Sequence, residues 1–414
     1  KFAEQLGKAI GTFTARKFGD TVAVCRDNKD TSRPLKNELI EGIVSTGINV
    51  LDIGKGPTDY CAFSGMKKEV VCIQVTSSHM PLNFNGFKLM YPEGNGFVNK
   101  DLNTVKDFFR SKDFCTGEGQ IKEVEDSLKQ DYKASLIETA REHSEGLYNK
   151  KVVVDSLGGA AADILPECLE DLGGEVVDIA EEKDSQPYRD PPNPKPENLY
   201  ELKNKVEKEN ADIGLATDMD ADRVALYKDS FISGSEIFCL MAEHVSGTTV
   251  ASVDTSQAVE EVVADEGYET NYTRVGDPFV LDKALDVDAA LAGEPNGHYS
   301  VLDFVPYNSG TLTALILAGL DIESGLKDIP EYSVKREALE VEEKEEIIEL
   351  AEQEVSQRYE VISRVDGVKA LIEGAEVLIR PSGSSPKIRV ISEAESEKVA
   401  ERGLEAALTV LRKA

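Results

Sequence analysis

Residues 20–91 alternate short apolar runs with helix-like stretches: TVAVC at 21–25, PLKNELIEGIVSTG at 34–47, INVLDIG at 48–54 and VVCIQV at 70–75. Continuous apolar runs of this length suit strands buried on both faces, and their alternation with longer periodic segments argues an α/β layer with a largely parallel sheet. The pattern restarts after Asn149, with KVVVDS at 151–156, EVVDIA at 175–180, a charged helical stretch near 201–209 and DIGLAT at 212–217. It restarts again near Ser235, with TTVASV at 248–253, YETNYTRV at 268–275 and DAALAG at 288–293. The end of the chain differs. The acidic helical segment VEEKEEIIELAEQEV at 341–355 precedes short strands near 361, 368–372, 377–379 and 388–391 and a closing helix over 396–412. The expected fold is therefore three consecutive mixed α/β domains followed by a smaller α+β domain with an antiparallel sheet. The expected boundaries are 1–144, 145–234, 235–332 and 333–414, the proline-containing 328–332 segment serving as a linker.

Charge narrows the function. Against 46 basic residues stand 77 acidic ones, a net of -31. A field of that sign repels nucleic acid and anionic lipid, and it reads as a solvated, salt-adapted, halophile-like surface. An anionic ligand would need cations gathered locally. The most apolar stretch, 311–320, is too short to cross a bilayer. Six cysteines without a CxxC pair, most in apolar surroundings, fit reduced thiols and a cytoplasmic location. The chain opens on Lys1 directly into a helical pattern of Phe2, Leu6, Ile10 and Phe13, so further residues upstream are expected.

Four loops carry chemistry. T-S-S-H-M-P at 76–81 follows the strand 70–75 and presents Ser78 where open α/β sheets bind ligands, with His79 and Lys88 nearby to handle protons and charge. D-M-D-A-D-R at 218–223 offers Asp218, Asp220 and Asp222 as hard oxygen ligands for one divalent cation. Arg223 stands where an EF-hand requires glycine; a phosphatase with Asp218 as nucleophile is the other reading of this loop. G-E-P-N-G-H at 293–298 supplies Glu294 and Asn296 for sugar hydroxyls and His298 for proton transfer. R-P-S-G-S-S-P-K-I-R at 380–389 gathers guanidinium, hydroxyls and backbone N–H groups into a cradle for a phosphate dianion, the local cation that the overall field demands. One loop falls in each expected domain, as a single central cleft would require.

Taken together and in this order, the loops resemble the α-D-phosphohexomutase family, which includes phosphomannomutase/phosphoglucomutase and phosphoglucosamine mutase. The resemblance runs over nearly the whole chain and takes in CRDNKDTS at 25–32, NFNGFK ending at Lys88 and TRVGD containing Arg274. It implies a heart-shaped four-domain fold around a central cleft and a phosphoserine at Ser78. It also implies Mg²⁺ at Asp218, Asp220 and Asp222 together with Ser78, and a hexose 1,6-bisphosphate as intermediate and activator. Sugar selection would fall to Glu294 and Asn296, with Arg274 also binding substrate. Phosphate would be bound by Arg380, Ser382, Gly383, Ser384 and Arg389, and Arg223 would neutralise charge in transfer. The implied reaction interconverts hexose 6-phosphate and hexose 1-phosphate, with phosphomannomutase/phosphoglucomutase ahead of phosphoglucosamine mutase. Lys88 comes first among the acid/base candidates, before His79 and His298. The expected partner is a small hexose phosphate, with the chain a monomer or homodimer. The pattern departs from the family at Met80, Asn296, Ser384 and Ser385, and the family's opening glycine-rich segment is not in this chain. These departures leave a catalytically impaired sugar-phosphate-binding homologue as a further alternative.

Overall fold

In the computed structural model, which describes residues 1–124, 126–144, 146–147, 150–180, 187–383 and 385–413, the apolar runs become the central strands of four separate sheets. The first unit comprises α1 (Phe2–Lys17), β1 (Thr21–Arg26), α2 (Ser32–Val44), β2 (Asn49–Lys55), α3 (Thr58–Lys68), β3 (Val71–Thr76), β4 (Gly86–Met90), α4 (Asn99–Ser111) and β5 (Ile121–Glu123), and α5 (Ser127–Glu142) leads from it into the second. Its strand order is β4-β3-β1-β2-β5. Next come β6 (Lys151–Asp155), α6 (Leu165–Asp171), β7 (Glu175–Asp178), α7 (Tyr200–Glu209), β8 (Ile213–Thr217), β9 (Val224–Lys228) and β10 (Ser230–Phe231), ordered β10-β9-β8-β6-β7. The third unit is α8 (Gly234–His244), β11 (Thr249–Ser252), α9 (Gln257–Asp265), β12 (Thr270–Thr273), α10 (Asp277–Asp286), β13 (Leu291–Glu294), β14 (His298–Val301), α11 (Gly310–Gly319) and α12 (Ile322–Asp328), ordered β12-β11-β13-β14. The fourth has an all-antiparallel sheet, β15-β19-β18-β17-β16, built from β15 (Ser333–Glu340), β16 (Glu360–Ser363), β17 (Val368–Ile372), β18 (Ala375–Pro381) and β19 (Lys387–Ala394). Helices α13 (Lys344–Arg358) and α14 (Glu397–Leu411) cover it.

The first three sheets are parallel at their centres, but on one side each parallel set is flanked by an antiparallel return strand that the sequence pattern does not separate. β4 returns beside β3, β9 beside β8, and β14 beside β13. The connecting loops explain this: parallel neighbours need a crossover of a dozen or more residues, and these reactive loops are shorter. The same strand, loop and return strand therefore occurs three times, and each time it carries site residues. β15 was also missed, because its charged sequence SVKREALE reads as the approach to the acidic helix, yet it pairs along its whole length with β19.

The apolar segment expected at 311–320 is α11, whose ten residues are all buried. It packs against α5, α6 and α8, in one core cluster shared by the first three units. No helix among the described residues is long and apolar enough to cross a membrane. All six cysteines are free, and all but Cys115 are buried.

At the junction of α3, α5 and α11 lies Asp59, fully buried. It accepts hydrogen bonds from Tyr132 Oη (2.8 Å), Tyr60 N (2.9 Å) and Ser309 Oγ. Burial, opposed by these bonds, pushes its pKa up to about 7. A carboxyl group whose folded pKa lies above its unfolded value stabilises the fold most at low pH, and that contribution is lost as pH rises through the folded pKa. Asp59→Asn removes the titration. The melting midpoint of the variant relative to wild type should therefore rise between pH 5 and pH 8, by the equivalent of about 2 to 3 kcal/mol. A difference that does not change with pH would contradict the assignment.

Candidate active site

Ser78 sits just past β3 with φ 47°, and Ala221, inside the aspartate loop, has φ 55°. Left-handed conformations at residues with a Cβ cost about 1 kcal/mol or more, so both loops are held against their local preference by surrounding contacts. For Ser78 the brace is Asp27, in the CRDNKDTS segment. Its buried carboxylate accepts from the backbone N–H groups of Lys29 and Ser77, both at 3.1 Å, and from Ser32 Oγ. Ser78 N also donates to Thr76 Oγ1 at 2.8 Å.

The aspartate loop is packed too tightly to tolerate side chains beside it. A Cβ on Gly159 would lie 2.7 Å from the carbonyl oxygens of Asp218 and Met219, and one on Gly310 would lie 2.3 Å from that of Arg223. Only glycine permits these approaches.

The side chains then meet. Ser78 Oγ donates to Asp218 Oδ2 at 3.1 Å and lies 3.2 Å from His79 Nδ1. Lys88, on the return strand β4, places Nζ 2.7 Å from Asp220 Oδ2 and also on Asp222 Oδ2. Burial disfavours the Lys88 ammonium, but the Asp220 and Asp222 carboxylates outweigh it and raise its pKa well above the usual lysine range. His79 goes the other way: burial, reinforced by the Arg223 guanidinium, lowers its pKa to about 4.

Asp218, Asp220 and Asp222 have no solvent exposure, and each offers an oxygen within 4.8 Å of the others'. Burial and its two neighbours push the Asp218 pKa well above the carboxylate range. Asp220 Oδ1 is buried with no hydrogen-bond partner among the described residues. An orphaned oxygen among three buried carboxylates is a costly arrangement that a bound divalent cation relieves, so the donor set fits such an ion.

On the sugar-loop side, His298 opens the return strand β14. Its Nδ1 lies 2.7 Å from Asp277 Oδ1 and its Nε2 lies 3.3 Å from Asp222 Oδ1. Burial opposes an imidazolium there, yet the Asp277 and Asp222 carboxylates raise the pKa well above the histidine range. Arg223 Nε donates to Nε2 at 3.0 Å and resists that second proton. Glu294 accepts from Gly276 N at 2.8 Å and from Asn296 Nδ2 at 3.3 Å. Burial, reinforced by Asp277 and opposed by His298, pushes the Glu294 pKa up to about 7.

Ser78, His79, Lys88, the three aspartates, Arg223, Glu294, Asn296 and His298 thus form one connected cluster. Arg274 does not join it; the side chain is exposed and lies over the Phe279 ring, 4.4 Å from its centroid. The fourth-unit loop stands apart as well. Arg380 is buried and donates through Nε to Asp366 at 2.7 Å, while Ser382 Oγ accepts from Ser385 Oγ at 2.9 Å. Gly383 and Arg389 are exposed, and Ser384 lies outside the described residues. Between the third and fourth units runs a cleft of about 1200 Å³, reached by Asn296 from one side and Arg389 from the other.

Sequence reasoning missed Thr58, Asp277 and Asp366. Thr58 binds Asp220 twice, through Oγ1 to Oδ2 (2.6 Å) and through N to the carbonyl oxygen (2.9 Å). The Pro-Thr-Asp start of α3 was a readable helix signal, but not for this contact.

Buried carboxylates under a serine hydroxyl, with lysine and arginine beside them at the ends of strands, define a multidomain α/β protein of the phosphoryl-transfer type. Models of the phosphoglucomutase/phosphomannomutase family match in order: α/β/α domain I at 1–116, domain II at 127–230, domain III at 233–335 and the C-terminal domain at 337–409. The chain belongs to this family of phosphohexomutases. It is 32% identical to a probable phosphoglucosamine mutase of Methanopyrus kandleri, over 96% of this chain and 91% of the relative. It is equally 32% identical to a phosphoglucomutase/phosphomannomutase of Thermococcus kodakarensis, over 100% and 95%. A crystal structure of a family protein from Burkholderia thailandensis superposes with a TM-score of 0.87 at 24% identity, covering 99% of this chain and 93% of that one.

Proposed function

We propose that the protein interconverts hexose 6-phosphate and hexose 1-phosphate through phospho-Ser78 and a hexose 1,6-bisphosphate. The observation that carries this reading is Ser78 Oγ, strained into a left-handed turn and hydrogen-bonded to a trio of buried carboxylates. Asp218, Asp220 and Asp222 would hold Mg²⁺, which when bound supplies charge stabilisation to the phosphoryl oxygens.

The chain's own groups account for the rest. When Ser78 is loaded, its oxygen forms the new bond to phosphorus as the phosphorus–sugar oxygen bond breaks. The serine proton, donated to Asp218 in the resting site, turns to Nδ1 of neutral His79, 3.2 Å from Oγ, and the departing sugar oxygen takes its proton from the His298 imidazolium that Asp277 and Asp222 sustain. Lys88, kept charged by two aspartates, offsets the negative charge of the transferring group together with Arg223. Its pairing makes it the electrostatic partner in this arrangement and His79 the better-placed base. His298 is the proton-handling group beside Glu294 and Asn296, the residues that would select the sugar.

The fourth-unit loop, with Arg380, Ser382, Gly383, Ser384 and Arg389, would take the non-reacting phosphate. Buried free thiols suit a reducing cytoplasm. Purified protein assayed with Mg²⁺, a trace of glucose 1,6-bisphosphate and the 6-phosphates of mannose, glucose and glucosamine should form at least one 1-phosphate. Failure with all three would defeat the reading, and the ranking of rates would identify the sugar. The same assay decides between phosphomannomutase/phosphoglucomutase and phosphoglucosamine mutase.

A further inference from the structure

The fourth unit docks on the third through two carboxylates that accept backbone N–H groups. At one end Glu393 receives Gln257 N, at the start of α9, at 3.0 Å. At the other, Asp366 Oδ2 receives Val275 N, in the T-R-V-G-D segment, at 3.3 Å. The same Asp366 oxygen accepts Arg380 Nε at 2.7 Å, and both side chains are only 7% exposed. One oxygen therefore joins the guanidinium of the fourth-unit loop to the third unit.

The next backbone group in line, Gly276 N, donates to Glu294 of the sugar loop. Adjacent N–H groups are thus held by carboxylates from two different units. The Asp-Gly turn leaves little freedom at this point, because Gly367 has φ 81° and a Cβ there would lie 2.2 Å from Ile379 O and 2.9 Å from Arg380 Cα. Its backbone is pressed against that of Arg380. Among the described residues the guanidinium is engaged through Nε, which fixes the orientation of its plane and directs the Nη groups to an anion.

We infer that Asp366 is a positioning residue: anchored to the third unit through Val275 N, it orients the Arg380 guanidinium for the phosphate. The inference rests on the proposed role of Arg380 in phosphate binding and assigns Asp366 no contact with the ligand. If Asp366 acts through Arg380, its loss should have no further effect once Arg380 is gone. If it merely helps to hold the fourth unit in place, its loss should cost the same in either background, as is expected for Glu393.

Calorimetric titration with glucose 1,6-bisphosphate tests this on wild type, Asp366→Asn, Arg380→Ala, the double variant, and Glu393→Gln with and without Arg380→Ala. Asp366→Asn should weaken binding about tenfold in the wild-type background and less than about twofold in the Arg380→Ala background. Glu393→Gln should cost the same in both. Should Asp366→Asn not fold, Asp366→Glu, which keeps the charge but displaces the guanidinium, is carried through the same square with the same expectation. A loss from the Asp366 variant that is equal in both backgrounds overturns this inference alone. Arg380→Ala binding as tightly as wild type, or wild type not binding the bisphosphate, overturns the phosphate-loop reading and this inference with it.

Discussion

Ser78→Ala should lower mutase turnover by at least about 10³-fold while leaving glucose 1,6-bisphosphate affinity within about threefold. Turnover falls because, in the proposed mechanism, the phosphoryl acceptor is gone: Oγ is the atom that bonds Asp218 Oδ2 and faces His79 Nδ1. Affinity is kept because the aspartate loop, the sugar loop and the fourth-unit loop are built by other residues. The fold is kept because alanine meets the same left-handed cost at φ 47° as serine does, and the braces on the loop, Asp27 to Ser77 N and Thr76 to Ser78 N, do not involve the hydroxyl. Intact mass supplies a second readout. Wild type incubated with the bisphosphate should gain one phosphoryl group that maps to Ser78, and the variant should gain none. Turnover near the wild-type rate in the alanine variant would remove Ser78 from the reaction.

The second large effect is expected at Asp220→Asn. Its Oδ2 is held by Thr58 Oγ1 at 2.6 Å and by Lys88 Nζ at 2.7 Å, which leaves the unpartnered Oδ1 to face a cation. The amide keeps the size but turns an N–H₂ group or a neutral oxygen toward the ion. Mg²⁺ affinity should fall by about a hundredfold or more, and turnover with it. Stability should move less. The Asp218 carboxyl is pushed up by burial and by Asp222 and Asp220, so deleting one of three clustered charges relieves repulsion, but it also takes a carboxylate away from the Lys88 ammonium. Without Mg²⁺ the two effects oppose each other, and the variant should melt close to the wild-type temperature. With Mg²⁺ at about a hundred times its wild-type Kd, the wild type should gain about 2.7 kcal/mol and the variant almost nothing. Equal Mg²⁺ affinities by calorimetry would show that Asp220 is not a ligand.

The sequence was most informative where structure is local. Runs such as VVCIQV and KVVVDS are buried strands in the fold, and the polar loop after VVCIQV carries Ser78. It was less informative at the sheet edges. β4 and β14 hold Lys88 and His298 but have mixed, partly polar sequences, and β15 is more charged than apolar. Their pairing is set by short loops and by a partner far along the chain, which periodicity within one segment does not register.

Each expected unit's reactive loop could thus be found from one chain: an apolar run, then a polar loop whose residue types suit a nucleophile, a cation, a sugar or a phosphate. These properties depend on neighbours in sequence, so the sequence by itself determined the fold class and the residues Ser78, Asp218, Asp220, Asp222, Glu294 and Arg380 as candidates. The pairings among them were decided only by the tertiary structure. Lys88 bridges Asp220 and Asp222, Thr58 grips Asp220, Asp277 stands behind His298, and Asp366 holds Arg380. Lys88 and Thr58 reach the aspartate loop from the first unit, Asp277 and His298 stand on α10 and β14, and Asp366 and Arg380 stand on the β16–β17 turn and β18. A carboxylate's partner is fixed by distance and desolvation in the folded core, and neither quantity exists until the units have packed together.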